Sequence, residues 1–173
     1  MKVDTKTYYP NLSEIKQAAA TLKEVVAVTP LQENFNLSNR FNATILFKRE
    51  DLQVVRSYKI RGAYNKISSL SEEELSKGIV CASAGNHAQG VAYACRKKQI
   101  QGTIFMPAPT PKQKVEQVKM FGGEFVTIEL IGDTFDDAYN LAKQTSDNSG
   151  KSFVHPFDDE KIIEGQATVG LEI

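Results

Sequence analysis

Two short segments of the sequence carry residues that could do chemistry. In the first, "SYKIRGA" (57–63), Ser57 could cap a helix and would place Lys59 in the first helical turn. The helix dipole opposes a positive charge there and should lower the pKa of the lysine amine, which makes the amine a better nucleophile and base. The alternative is that Lys59 is an ordinary solvated lysine, because the chain has 21 basic residues.

The second segment, "CASAGNHAQGVAYA" (81–94), passes from an apolar run through Ser83, Gly85, Asn86 and His87 into an alanine-rich helix. Small residues would let a ligand approach the backbone, and the unpaired amides at a helix start favour an anion such as a carboxylate or phosphate. Ser83 and Asn86 add side-chain donors. The alternative is structural: Ser83 or Asn86 caps the helix, and His87 is a partly buried polar residue.

An alternation of strands and helices must position these segments. Short apolar runs rich in β-branched and aromatic residues predict strands over 43–48, 78–82, 103–107, 124–130 and 152–156. Helical spacing predicts helices over about 12–26, over 86–98, from a Thr110–Gln113 capping box to a C-cap at Gly122-Gly123, and from Asp133 onward. The alternation predicts an α/β fold with an open, mainly parallel, twisted sheet and helices on both faces.

Composition argues against several classes of function. Lysine plus arginine equals aspartate plus glutamate at 21 each, so nucleic acid and anionic membrane are not expected as partners. No apolar run is long enough to span a bilayer, and the N-terminus has no signal-peptide pattern. Cys81 and Cys95 are the only cysteines and form no CxxC pair, so we expect no disulfide framework and a reducing, cytoplasmic location. Cys81, His87 and Cys95 lack the spacing of zinc ligands, so we expect no metal site.

Taken together, the two segments resemble the threonine dehydratases (threonine ammonia-lyases) of the tryptophan-synthase-β-like, fold type II family of pyridoxal-phosphate enzymes. The likeness continues through "KREDLQ" (48–53), "FMPAPTPKQKVEQVKMFGGE" (105–124), "GDTFDDA" (132–138), "PFDD" (156–159) and "EGQAT" (164–168). It implies that residues 1–49 begin the larger cofactor domain, that 50–153 form the smaller α/β domain, and that 154–173 return to the larger one.

The resemblance also implies roles for individual residues. Lys59 corresponds to the lysine that holds pyridoxal 5'-phosphate as an imine and later removes the substrate Cα proton. Asn86 corresponds to the asparagine that hydrogen-bonds the cofactor's 3-hydroxyl, and Tyr58 stands near the cofactor where phenylalanine is usual. The loop that grips the substrate carboxylate corresponds to Ser83, Ala84, Gly85, Asn86 and His87.

The implied reaction is β-elimination of L-threonine to 2-oxobutanoate and ammonia, the first step toward isoleucine, with slower conversion of L-serine to pyruvate. Serine racemases carry a serine at the position of Ala84 and use it as an acid/base on the other face of the cofactor ring, so Ala84 favours elimination over inversion. Two alternatives stay open: a serine racemase or serine dehydratase of the same fold, and a non-catalytic α/β module that binds a small anion.

The sequence after residue 160 begins as a helix and carries no stop signal before Ile173. The family's glycine-rich phosphate loop has no counterpart, because Gly122-Gly123 follows a helix and predicts a C-cap. We therefore expect the N-terminal part of a longer chain, with little activity by itself. Exposed apolar surface should promote assembly, so a homo-oligomer is expected.

Overall fold

The computed structural model describes residues 8–173, and these form an α/β fold. The α-helices are α1 (Leu12–Leu22), α2 (Phe35–Phe41), α3 (Lys59–Ser68), α4 (Glu72–Lys77), α5 (Asn86–Lys98), α6 (Lys112–Gly122), α7 (Phe135–Ser149) and α8 (Glu160–Ala167). The strands are β1 (Leu31–Glu33), β2 (Leu46–Lys48), β3 (Ile79–Ala82), β4 (Gly102–Met106), β5 (Val126–Leu130) and β6 (Ser152–Phe153).

Four of the strands form one parallel sheet in the order β5-β4-β3-β6. In the register of this sheet, Ile79 of β3 lies opposite Gly102 of β4 and Ser152 of β6. The predicted open, parallel sheet is therefore confirmed. The strand predicted over 43–48 is observed only over Leu46–Lys48, as β2. It does not join the parallel sheet, because it pairs antiparallel with β1 in a separate two-stranded sheet.

Helices cover both faces of the parallel sheet, as predicted. Side chains alternate between the faces along β3. Ile79 and Cys81 pack into a core that includes Val91 of α5, whereas Val80 and Ala82 pack into a core with the alanines of α7. All four β3 residues are fully buried, as is typical of a parallel strand that is covered on both faces.

The predicted bounds of α5 and the predicted end of α6 agree with the structure. Helix α5 spans 86–98 as predicted, and α6 buries Val115 and Val118 and ends at Gly122. Its C-cap, Gly123, has φ +58°, a left-handed conformation that glycine adopts without steric cost. The predicted C-cap at the double glycine is confirmed.

Three predicted helix ends are wrong. Thr110 does not cap α6; its hydroxyl donates to the Pro107 carbonyl at 2.6 Å, and the helix begins at Lys112. Such a local hydrogen bond competes with capping. Helix α7 is capped by Thr134 rather than Asp133, in a capping box with Asp137. Helix α1 ends at Leu22 rather than near residue 26, because the chain turns there and amides 25 and 26 bond the Leu22 carbonyl.

Candidate active site

Lys59 is the first residue of α3. The N-cap position is Tyr58, without a side-chain cap, and Ser57 instead accepts a hydrogen bond from the Lys59 amide at 3.2 Å. The predicted place of Lys59 in the first turn is confirmed, although Ser57 does not occupy the cap position. The Lys59 Nζ donates to the Pro156 carbonyl at 2.7 Å. Burial lowers the pKa of the Lys59 amine, so the predicted direction holds.

A glycine in α5 brings the start of α3 against that helix. A Cβ added at Gly90 would lie 3.1 Å from the Lys59 carbonyl oxygen and 3.2 Å from the Ile60 nitrogen. Because Gly90 has no side chain, the backbones of α3 and α5 can pack closely here. Gly90 lies about one turn after the start of α5 at Asn86. This contact places Lys59 beside the second chemical segment, although the two lie far apart in sequence.

The loop 82–87 follows the carboxyl end of β3, where ligands bind in open parallel sheets. Gly85 is the N-cap of α5, and no side chain among the described residues caps this helix. The Ser83 hydroxyl accepts from the Gly85 amide at 3.2 Å instead, and Asn86 is solvent-exposed. The alternative that Ser83 or Asn86 caps this helix is therefore wrong. The first-turn amides of α5 remain suited to bind an anion.

The His87 side chain ties this loop to the end of β6. It is 3 % exposed, and its Nε2 lies 3.0 Å from the Val154 carbonyl oxygen. Burial lowers the pKa of His87 to about 4, and the positive charge of Lys59 acts in the same direction. The imidazole is therefore neutral near pH 7, donates from Nε2, and leaves Nδ1 without a hydrogen-bond partner among the described residues.

Residues 154–156 join the two chemical segments. The Val154 carbonyl accepts from His87, and the Pro156 carbonyl, two residues later, accepts from Lys59. Sequence reasoning predicted these residues as the end of a strand and assigned them no role. The only sequence signal was the likeness that begins with "PFDD" at Pro156.

The remaining predicted residues also lie around Lys59 and the loop. The Tyr58 side chain is 41 % exposed, and its ring centroid lies 5.5 Å from the Lys59 Nζ. Ala84 is half-buried within the loop. A Cβ added at Gly85 would meet nothing within 4 Å, so the space at the loop is open to a ligand. The Lys59 amine, the first-turn amides of α5 and the open space at Gly85 therefore lie in the same region of the structure.

A buried ionic cluster lies two residues after Lys59, and sequence reasoning missed it. The Arg61 side chain is 1 % exposed, and its guanidinium pairs with Glu50 at 2.8 Å and with Glu172 at 2.7 Å. Lys48 also pairs with Glu172. The cluster links α3 to the segment that follows β2 and to the C-terminal end of the described chain. Arg61 lies in the quoted "SYKIRGA", but the motif does not reveal partners so distant in sequence.

In residues 8–173, no group of three His, Cys, Asp or Glu side chains could hold a metal ion. None of the helices described is both long enough and apolar enough to cross a membrane.

Comparison with known proteins places this arrangement in context. Residues 22–173 match the family described as pyridoxal-phosphate dependent enzyme. The chain is 59% identical to the biosynthetic L-threonine dehydratase of Halalkalibacterium halodurans, over 94% of this chain and 39% of the relative. It is 58% identical to the enzyme of the same name from Lactococcus lactis, over 92% of this chain and 38% of the relative. The chain thus spans about two fifths of the length of these relatives.

Solved structures agree with the family match. The processed form of threonine deaminase isoform 2 from Solanum lycopersicum superposes with a TM-score of 0.84 at 41% identity, over 96% of this chain and 47% of that one. Maize serine racemase superposes with a TM-score of 0.88 at 33% identity, over 95% of this chain and 49% of that one. The fold is that of these enzymes over the part that the chain covers.

Proposed function

The chain belongs to the pyridoxal-phosphate-dependent enzyme family, and we propose that its protein converts L-threonine to 2-oxobutanoate and ammonia by β-elimination. A slower conversion of L-serine to pyruvate and a place in isoleucine biosynthesis belong to the same proposal. The sequence likeness to biosynthetic threonine dehydratases supports it. The observation that carries it is the Lys59 amine beside the loop 82–87, with both held by residues 154–156.

The described residues fit pyridoxal phosphate at its aldehyde end. Lys59 offers a half-buried amine with a lowered pKa, and such an amine can form a covalent bond to an aldehyde. An added Cβ at Gly85 would project into open space, so the loop leaves room for a ligand. Asn86 is exposed in the first turn of α5, where its amide could reach the cofactor's 3-hydroxyl. When bound, the cofactor supplies an electron sink for the Cα carbanion.

The protein residues supply binding and proton transfer. The first-turn amides of α5 and the Ser83 hydroxyl would hold the substrate carboxylate. The Lys59 amine would remove the Cα proton, and its lowered pKa increases the neutral fraction that can accept a proton. The Pro156 carbonyl gives this amine a fixed position from which to act. Tyr58 lies close enough to flank the same group.

Ala84 favours elimination over racemisation. Inversion at Cα requires a proton donor on the face opposite to Lys59, and a methyl group cannot donate a proton. We therefore infer that D-serine is at most a minor product from L-serine. Chiral analysis of the products distinguishes a lyase from a racemase of the same fold.

Borohydride trapping and product analysis test the proposal. The native protein with pyridoxal phosphate should be labelled at Lys59 on reduction and should release 2-oxobutanoate from L-threonine. Lys59→Ala should lose both properties, whereas Lys97→Ala, at an exposed position of α5, should keep both. Labelling at another lysine, or no 2-oxobutanoate from the native protein, would refute the proposal. A non-catalytic anion-binding module would tolerate Lys59→Ala.

We also propose the domain division 1–49 with 154–173, against 50–153; residues 1–7 lie outside the described part of the chain. The whole parallel sheet lies within residues 79–153, whereas α1 and α8, outside those residues, pack against each other. A cytoplasmic homo-oligomer completes the proposal. Its support is exposed apolar side chains around β1, α2 and β2, namely Leu31, Phe35, Phe41, Leu46 and Phe47. Light scattering over a range of protein concentrations tests the assembly.

A further inference from the structure

The His155 ring lies at the junction that holds the two chemical segments. Its neighbours in the chain are Val154 and Pro156, whose carbonyls bind His87 and Lys59. The imidazole therefore belongs to the residue between the two carbonyls that hold His87 and Lys59, yet neither the proposed reaction nor the carboxylate loop uses it.

Hydrogen bonds determine which nitrogen of His155 carries the proton. Its Nδ1 accepts from the amides of Phe157 at 3.3 Å and Asp158 at 2.7 Å. Burial lowers the pKa of His155, Asp158 and Asp159 oppose this, and Lys143 and Lys59 add to it. The ring is therefore neutral near pH 7, with its proton on Nε2. This Nε2–H makes no hydrogen bond to residues 8–173.

Aromatic rings hold the imidazole in place. Phe157 packs edge-on against it with centroids 4.7 Å apart, and Tyr139 and Phe153 lie at 5.9 and 6.1 Å. Phe157 is 63 % exposed, so this apolar surface is open to a ligand. The arrangement therefore presents one N–H donor, that of His155 Nε2, next to the apolar carbons of aromatic rings. A small ligand that complements it has one acceptor oxygen next to an apolar group, as the side chain of threonine has.

We propose that the His155 Nε2–H donates a hydrogen bond to the β-hydroxyl of the substrate and that the neighbouring rings contact its methyl group. His155 is then a specificity-determining residue for β-hydroxy amino acids. The inference rests on the proposed lyase function and names the group that recognises its substrate. A donor left unpaired in a half-buried site is costly, so the site discriminates against amino acids that lack the oxygen.

Two substitutions with amide side chains test the Nε2 donor of His155 separately from the hydrogen bonds that its Nδ1 accepts from the amides of Phe157 and Asp158. In His155→Asn, the side-chain oxygen can still accept from the Phe157 and Asp158 amides, but the Nε2 donor is lost. In His155→Gln, the terminal NH2 can reach the place of Nε2, but the acceptor near the backbone is lost. With the native protein and pyridoxal phosphate, kcat/KM for L-threonine is compared with Ki for L-2-aminobutyrate, which lacks the hydroxyl and cannot eliminate.

We expect His155→Asn to lower kcat/KM for L-threonine by about threefold to tenfold, the value of one hydrogen bond. Its Ki for L-2-aminobutyrate should equal or lie below the native value, because the donor that this ligand leaves unpaired is gone. His155→Gln should retain most of the threonine activity. A parallel rise of Ki in His155→Asn, or equal losses in the two variants, would overturn the inference and indicate a structural role only.

A second measurement needs neither substrate nor turnover. Nitrogen-15 NMR of the imidazole in the ligand-free native protein should show the proton on Nε2 of His155. A proton on Nδ1 would overturn the inference even if the activity data agreed. If the native protein neither turns over L-threonine nor binds L-2-aminobutyrate, the proposed function fails and the inference fails with it.

Discussion

Arg61→Leu should destabilise the protein strongly, because the buried Arg61 neutralises two partly buried carboxylates. Its guanidinium donates to Glu50 from Nε at 2.9 Å and from Nη2 at 2.8 Å. It donates to Glu172 from Nη1 at 2.7 Å and from Nη2 at 3.0 Å, and to the Thr168 hydroxyl at 3.1 Å. Leucine removes these donors and leaves both carboxylates without their main partner.

The size of the loss follows from burial. Breaking a buried ion pair by removing one partner costs about 3–5 kcal/mol of the free energy of unfolding. Glu50 and Glu172 keep side-chain exposures of 12 and 14 %, and Lys48 still pairs with Glu172, so both carboxylates retain some stabilisation. We therefore expect a loss near the lower limit, about 3 kcal/mol near pH 7.

The loss should depend on pH. In the native protein, burial alone would raise the pKa of Glu50 and of Glu172, but the Arg61 hydrogen bonds outweigh it and both pKa values lie below the ordinary 4.5. These glutamates therefore stabilise the fold above pH 4.5, and this stability is lost as pH falls through their lowered pKa values. Without Arg61, burial should raise both values, so acid relieves the penalty in the variant. The gap between the two proteins should narrow from about pH 7 to pH 5.

Urea unfolding followed by far-UV circular dichroism, near pH 7 and near pH 5, measures this difference. The matched control is Lys77→Leu, which breaks a surface ion pair between Lys77 and Glu73. The control should show no resolvable change, because exposed pairs contribute little. Native-like stability of Arg61→Leu, or an equal loss at both pH values, would refute the assignment of the cluster as a buried charge-neutralising site.

Three further predictions follow from packing and burial. Gly165→Ala should lower the free energy of unfolding by about 1–3 kcal/mol, because the new Cβ would lie 2.5 Å from the Arg61 carbonyl oxygen. The control Gly170→Ala should leave this free energy unchanged, because its Cβ would meet nothing within 4 Å. Burial is the main reason that the pKa of His87 is lowered from 6.5 to about 4. Because only the unfolded chain takes up the proton between these pH values, the free energy of unfolding of the native protein should fall by about 3 kcal/mol from pH 6.5 to pH 4, relative to that of His87→Gln. Urea midpoints that fall in parallel in the two proteins would contradict this. Burial raises the pKa of the Cys95 thiol to about 12, so iodoacetamide should label it only after unfolding; labelling of the folded protein would argue against this.

Local sequence determined the elements and the chemical residues. The spacing of small apolar residues placed α5 at 86–98, and glycine at 123 ended α6, because periodicity and left-handed caps are properties of a few adjacent residues. Lys59 at a helix start and the small, polar loop before α5 were visible for the same reason. These features follow from residue types and close neighbours alone.

Only the tertiary structure decided how these parts meet. The bond from Lys59 to Pro156 joins residues 97 positions apart, and His87 reaches Val154 across 67. These contacts depend on the pairing of β6 with β3 and on close packing at Gly90, and a local pattern specifies neither. The partners of Arg61 were hidden for the same reason. A residue's type limits what it can bind, but the burial and the partners that set its pKa come from segments distant in sequence.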